Sequence, residues 1–274
     1  MTVLLGWEAA EHGGGDDAAL RLAVRLARAE QSPVVVATVV PPDPGPSASR
    51  RDRETLQWRA ALTALRAAGV DDVRTAVVPA SSVPAGLEEA ASTYRARLLV
   101  LGAAAAAPAG RFATGSVAGQ LLHGSPVPLA LAPRAWAADA APARLTCAWA
   151  GADRSADALA ATRRFADRWG VPVRLVTFAP GPADDDAPAG SAQRALDEAV
   201  ADWSGPGPVA LLARGAGWAE AVAAVPWAPG DVLVVGSARL GTPGQVSVGA
   251  AGTGVLRAAT VPLLVVPRGT PTSP

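Results

Sequence analysis

The residues with the clearest chemical use are Gly102, Gly115 and Ser116. Gly102 closes the apolar run Leu98-Leu99-Val100-Leu101, and Gly115-Ser116 opens a helix-like stretch that begins at Val117. A strand ending in glycine lets backbone come close to a ligand. A helix opening at Gly-Ser leaves free N–H groups and a positive dipole end, which suits a phosphate. The chemistry suggested is anion binding rather than bond breaking.

Other groupings support less. His12-Gly13-Gly14-Gly15 looks like a phosphate loop, but the chain contains no lysine and so cannot carry a Walker A motif; a turn before a helix is the simpler reading. Ser116 and His123 lie two helical turns apart, about 10 Å, too far for a base to activate a nucleophile. One cysteine excludes an internal disulfide, and with two histidines, His12 and His123, a protein metal site is not expected. Cys147 sits within an apolar run and reads as a buried structural thiol. Asp184-Asp185-Asp186 lies among Pro, Gly and Ala and reads as a solvated acidic turn.

The elements that must position Gly102 and Gly115 alternate between strand and helix. Val3–Trp7, Val34–Val40, Val73–Val78, Leu98–Leu101 and Val127–Ala132 are short apolar runs of the kind found in parallel sheets covered on both faces. A helix capped by Asp16 or Asp17 separates the first two, with Arg21, Arg25 and Arg28 on one stripe. Arg53–Ala68, stopped by Gly69, and Pro84–Tyr94 continue the alternation. Right-handed crossovers then give a doubly wound sheet whose carboxyl edge carries the ligand.

The pattern occurs twice. Leu98–Gly102 returns as Val232–Gly236, Val127–Arg134 as Val261–Arg268 and Gly115 as Gly249, all at one offset. Val3–Trp7 returns as Leu145–Trp149 at a slightly larger one. In the second copy, strands are expected at Leu145–Trp149, Val173–Phe178, Val209–Ala213 and Val232–Val235. Helices are expected at Ser155–Trp169, Ser191–Trp203 and Gly217–Val225. Pro41–Arg53 and Pro180–Gly190 read as loops, and Ala135–Ala143 as a linker, giving domains 1–134 and 142–274. Trp7 and Trp149 fill equivalent places and read as packing residues that could also flank a base.

The chain has 274 residues, half of them apolar, and a net charge of +0. Neutrality gives no electrostatic footprint for nucleic acid or an anionic membrane. Met1 to Trp7 is a short apolar run without a basic leader and does not read as a signal peptide. No stretch reads as membrane-spanning, so a cytoplasmic location is expected.

Gly102, two residues, Ala105, nine residues, then Gly115-Ser116, followed by Val117 through Leu129, resembles the glycine motif, last helix and last strand of the universal stress protein family. With the tandem arrangement, the resemblance spans nearly the whole chain. It implies two five-stranded α/β domains of flavodoxin size (the adenine nucleotide alpha hydrolase-like fold), related by a pseudo-two-fold axis near Val127–Ala132 and Val261–Val266. It also implies ATP, with phosphates at Gly102, Gly115 and Ser116 and the base and ribose near Trp7, Glu8 and Val39; Ala105 and Val117 complete the set. Mg²⁺ would enter only with ATP. Glu8 stands where the family has Asp, and Ala105 stands at the second glycine. The second copy has Ala150 and Arg239 at those places and Gly249-Ala250 in place of Gly-Ser.

Two functions follow from the resemblance and from these departures. One is a stress-response regulator that binds an adenine nucleotide in the first copy only. The other is a scaffold of the same fold that binds no nucleotide. No residue set supplies a general base, so slow ATP hydrolysis is the most an enzymatic reading supports. A monomeric pseudo-dimer and a dimer of such chains both fit the sequence.

Overall fold

The computed structural model describes residues 2–7, 17–40, 59, 62–63, 65–66, 70, 72–137, 140–182, 186–203, 207–239 and 241–269. The first half contains β1 (Thr2–Gly6), α1 (Ala18–Glu30), β2 (Val34–Val40), β3 (Val73–Pro79), α2 (Val83–Thr93), β4 (Ala96–Gly102), α3 (Ser116–Leu121) and β5 (Leu129–Ala132). The second contains β6 (Arg144–Ala148), α4 (Ala152–Trp169), β7 (Val173–Pro180), α5 (Asp186–Ala201), β8 (Val209–Gly215), α6 (Trp218–Ala223), β9 (Asp231–Gly236), α7 (Ala250–Ala258) and β10 (Leu263–Val266).

The strands form one sheet in the order β3-β2-β1-β4-β5-β10-β9-β6-β7-β8. Each half is therefore a doubly wound five-stranded unit, and the two fuse where β5 meets β10. That pairing is antiparallel, with Leu131 opposite Leu263, Ala130 opposite Leu264 and Leu129 opposite Val265; the other strand pairs are parallel.

Alternation along the strands sends their side chains to two cores. Val3, Leu5, Val34, Val36, Leu98 and Val100 face α1, while Leu4, Val35, Leu99, Leu101 and Leu129 face α2 and α3. Because helices cover both faces, the strands read as continuous apolar runs.

Local chemistry accounts for most element ends. Ser82 Oγ accepts from the Ala85 N–H at 3.3 Å, and Pro84 lies in the first turn of α2, where its missing donor costs nothing. Asp17 precedes α1 but its carboxylate caps nothing, contrary to expectation. Its φ of −70° and ψ of 3° are not the extended backbone from which a side chain folds back onto the next turn. Asp16 lies outside the described residues, as does most of Arg53–Ala68 with Gly69. Within that span Arg59, Leu62, Thr63, Leu65 and Arg66 are helical, and Leu65 is buried. The loop Pro41–Arg53 also lies outside them. The loop expected over Pro180–Gly190 ends sooner, because α5 starts at Asp186. A proline such as Pro188 is tolerated in a first helical turn.

Two buried carboxylates brace the structure. Glu30, the last residue of α1, is 4% exposed and accepts from Arg97 at 3.1 Å, Arg168 at 2.8 Å and the Trp169 indole N–H at 2.7 Å. Arg168 and Trp169 belong to α4, so this cluster ties the two halves together on the α1 face. Asp231 lies at the amino end of β9. It holds Arg144 in a two-pronged pair at 2.9 and 2.8 Å and accepts from Arg174 at 3.2 Å. Arg174 is itself buried, bonded to Thr146 Oγ and the Pro226 carbonyl, with its guanidinium 5.0 Å from the Trp227 ring centre.

Candidate functional site

In the first half, β1 lies between β2 and β4, and the chain order reverses between β1 and β4. Crevices at such a reversal, beyond the carboxyl ends of the strands, are where open α/β sheets take ligands. Gly6, Trp7 and Gly102 end these strands at that edge.

From Gly102 the chain makes a closed excursion and returns to α3. The Ala107 N–H bonds the Ala104 carbonyl at 2.9 Å, making a tight turn with the exposed Ala105 near its tip. The Ala104 N–H then bonds the Ala113 carbonyl at 3.0 Å, drawing the two limbs together. As a result, a Cβ on Gly115 would lie 3.7 Å from the Ala104 Cβ. Gly102, Ala105, Gly115 and Ser116 are thereby gathered into one loop. Gly115 is the N-cap of α3 with extended backbone, φ −80° and ψ 178°, and makes no side-chain cap; Ser116 is exposed and Val117 half-buried against the α2-side core.

The loop is fixed by residues to which the sequence reading gave no role. Gly110, at φ +72°, donates its N–H to the Arg134 carbonyl at 2.8 Å. The Arg134 N–H returns a bond to the Arg111 carbonyl at 2.9 Å, and its guanidinium bonds the Ala107 carbonyl at 2.8 Å. The signal was present in the repeated Pro133-Arg134 and Pro267-Arg268 pairs. Both follow a closing strand, and each stands a fixed distance after a glycine, Gly110 or Gly244.

The other expected site residues divide. The Trp7 N–H bonds the Ala37 carbonyl at 3.3 Å, and the ring is half-buried against the α1-side core. Its indole N–H has no hydrogen-bond partner among the described residues. Val39 packs onto α2, where a Cβ on Gly86 would come within 2.6 Å of its Cγ1. Glu8 lies outside the described residues, as does the His12–Gly15 turn. Among the described residues no three of His, Cys, Asp and Glu converge as metal ligands. His123 is exposed, with Nδ1 2.9 Å from the Gly119 carbonyl, so it attends the end of α3. Glu88 on α2 faces Gly124, and burial pushes its carboxyl above the usual range.

The second half keeps the loop's frame and changes its surroundings. The Ala238 N–H to Ser247 carbonyl bond at 2.5 Å matches Ala104 to Ala113, and Gly244 to Arg268 at 2.6 Å matches Gly110 to Arg134, each 134 positions on. The approach from the first strand differs. Here α4 has 18 residues against 13 in α1, although both helices end just before an equivalent proline, Pro172 or Pro33. The extra turn lies over the carboxyl edge, where the Ala150 N–H is taken by Ser155 Oγ at 2.9 Å. A Cβ on Gly236 would sit 3.0 Å from the Ala158 Cβ, against 3.5 Å between Gly102 and Ala19. The Trp149 indole N–H is bonded to the Ala195 carbonyl at 2.9 Å, and the residue is buried, which makes it a packing residue.

This fold and loop define a doubly wound α/β protein with two related units on one sheet and a glycine-bounded loop at each switch point. The sequence profile of the universal stress protein family matches residues 10–133. The universal stress proteins Rv2319c of Mycobacterium tuberculosis and Mb2346c of Mycobacterium bovis are each 31% identical over 294 residues, covering 97% of this chain and all of theirs. The chain therefore belongs to the universal stress protein family. Two solved structures share the fold over the whole length. The universal stress protein of Archaeoglobus fulgidus DSM 4304 has a TM-score of 0.67 and 14% identity, covering 98% of each chain. A putative universal stress protein of Pseudomonas aeruginosa UCBPP-PA14 has a TM-score of 0.57 and 17% identity, covering 97% of this chain and 92% of that one. Among the described residues no helix is long and apolar enough to cross a membrane.

Proposed function

We propose that this is a cytoplasmic stress-response regulator of two domains, 1–134 and 142–274, whose first domain binds an adenine nucleotide such as ATP. The base and ribose would lie over Trp7, Glu8 and Val39, and the phosphates over Gly102, Ala105, Gly115, Ser116 and Val117. The observation that carries this reading is the Ala104–Ala113 closure, which brings Gly115-Ser116 back beside the end of β4. Backbone N–H groups and the exposed Ser116 hydroxyl are donors on offer, while Arg111 and Arg134 each direct one N–H to a carbonyl. Mg²⁺ would ride on the phosphates of ATP. The second domain, with its longer α4 and bonded Ala150 N–H, takes the structural role.

Calorimetry with ATP, ADP and AMP on the intact chain tests the reading. Heat of binding that Gly115→Val abolishes is expected. No heat and no thermal shift at millimolar ligand overturns it, and binding untouched by Gly115→Val moves the site elsewhere.

A scaffold that binds no nucleotide is the second reading. The direction of Arg111 and Arg134 Nη1 to the Ala258 and Ala107 carbonyls favours it, since each guanidinium serves the frame of the loop.

A further inference from the structure

The helix that opens the first unit's loop cannot complete its own end. Pro126 stands four residues after Leu122 and has no N–H, so the Leu122 carbonyl has no donor within the helix. At six residues α3 is also far too short to persist without outside contacts.

The missing donors come from the second unit. The Val248 N–H bonds the Leu122 carbonyl at 3.1 Å, and the Val246 N–H bonds the Ser125 carbonyl at 2.8 Å. Val246 is wholly buried in the same core as Leu121 and Leu122. Both donors lie in the 237–249 loop, the counterpart of the loop that gathers Gly102 and Gly115. In return, Arg111 of the first loop bonds the carbonyl of Ala258, the last residue of α7. The exchange is unequal: a side chain serves α7, whereas two fixed backbone donors serve α3. The sequence explains the difference, because α7 runs on to Ala258 and the counterpart of Pro126 is Thr260, which has an N–H.

We propose that the second unit's 237–249 loop is a positioning element for the first unit's site, and that this task has preserved its frame while its ligand-facing residues changed. Val246 and Val248 hold the far end of α3, and α3 in turn sets Gly115 and Ser116 against the end of β4. The first unit's site is then incomplete without the second unit. For its effect on a ligand, this inference rests on the nucleotide reading above.

Amide hydrogen exchange on the full chain tests it without a ligand. The amides of Gly119, Leu122 and Ser125 should open together with those of Val246 and Val248, with the same denaturant dependence. Val248→Pro should speed exchange at Leu122 and Ser125 by about tenfold, the loss expected for one hydrogen bond. Arg239→Ala, on the same loop with an exposed side chain, should leave both unchanged. If Val248→Pro does not fold, Gly241→Ala serves, since its Cβ would lie 2.3 Å from the Ser247 Cβ and displace the loop without removing a donor. Independent opening of the two amide sets, or unchanged exchange in these variants, overturns the inference. ATP titration supplies the second arm: a protein that binds ATP should bind it less tightly as Val248→Pro. If the parent chain binds no nucleotide, the nucleotide reading falls and the exchange result alone decides this one.

Discussion

Ala130 is paired with Leu264, its own counterpart 134 positions along the chain. A residue facing its counterpart in an antiparallel pair marks the point where the pseudo-two-fold axis crosses the sheet. The flanking pairs obey the same symmetry, with Leu129 opposite Val265 and Leu131 opposite Leu263. At the axis the two sequences differ in volume, small on one side and large on the other. Both side chains are buried on the α1 face, where opposed residues touch. Leu264→Ala should cost about 3 kcal/mol by opening a cavity, and Ala130→Leu about 2 kcal/mol by overpacking. The double variant restores the total volume and should recover most of the loss. A double-mutant cycle from denaturant midpoints measures this, and simple additivity would refute it.

Glu30 supports a second prediction. Its carboxylate is buried while Arg97 and Arg168 are about a third exposed, with side-chain exposures of 29% and 36%. Glu30→Ala removes the buried carboxylate that accepts from Arg97, Arg168 and the Trp169 N–H and should cost about 3 kcal/mol. Because the partners reach water, the loss falls at the low end for a buried ion pair. Since Arg168 and Trp169 come from α4, the halves should lose cooperativity in denaturant, seen as a broader transition with a lower m value.

Asp231 is the more demanding case because Arg174 has almost no water to turn to. Burial pulls the Arg174 guanidinium below its ordinary value, neighbouring Arg144 adds to this, and Asp231 opposes both. Asp231→Ala should therefore cost about 4 kcal/mol. Replacing Arg174 by Met in that background should return part of it, since the charge that cannot reach water is removed. Arg144, whose side chain is 30% exposed, is then left as the one guanidinium that lost its carboxylate. Thermal melts of the parent chain and the two variants check the order, and a double variant weaker than the single would contradict it.

Much of this architecture was legible in the sequence, for reasons that differ by element. The strands were readable because a parallel strand covered on both faces must be apolar throughout, as Leu98 to Leu101 shows. The repeat was readable because the same loop length separates Gly102 from Gly115 and Gly236 from Gly249. Glu30 and Asp231 gave no sign of burial, because their partners are 138 and 57 positions away, at Arg168 and Arg174. The frame of the candidate site was hidden in the same way: Arg134 reads as a surface charge until the Ala107 carbonyl is beside it. The site's second copy looked degenerate from its side chains, whereas its backbone bonds were retained.

Cys147 yields a prediction about alkaline pH. Burial pushes its thiol up to about 12 from 9.0, and a bond with Thr162 opposes this weakly. The folded pKa is raised, so the thiol's contribution is fully present below pH 9 and is lost as pH rises toward about 12. The loss should approach about 1.4 kcal/mol per pH unit within that window. Cys147→Ala should flatten the decline relative to the parent chain. Thiol reagents at pH 8 should label the native protein only at its unfolding rate.

Ala105 sets opening of the site against stability. It is exposed in the turn closed by Ala104 and Ala107, and in the nucleotide reading proposed above its methyl group would stand between backbone and phosphate. Ala105→Gly removes that methyl and should tighten adenine nucleotide binding severalfold by calorimetry. The same change frees the unfolded chain and should lower stability by about 0.5–1 kcal/mol. Ligand-free melting should therefore fall while the shift produced by ATP grows. A lower melting point with an unchanged ATP shift would mean that Ala105 does not face the ligand.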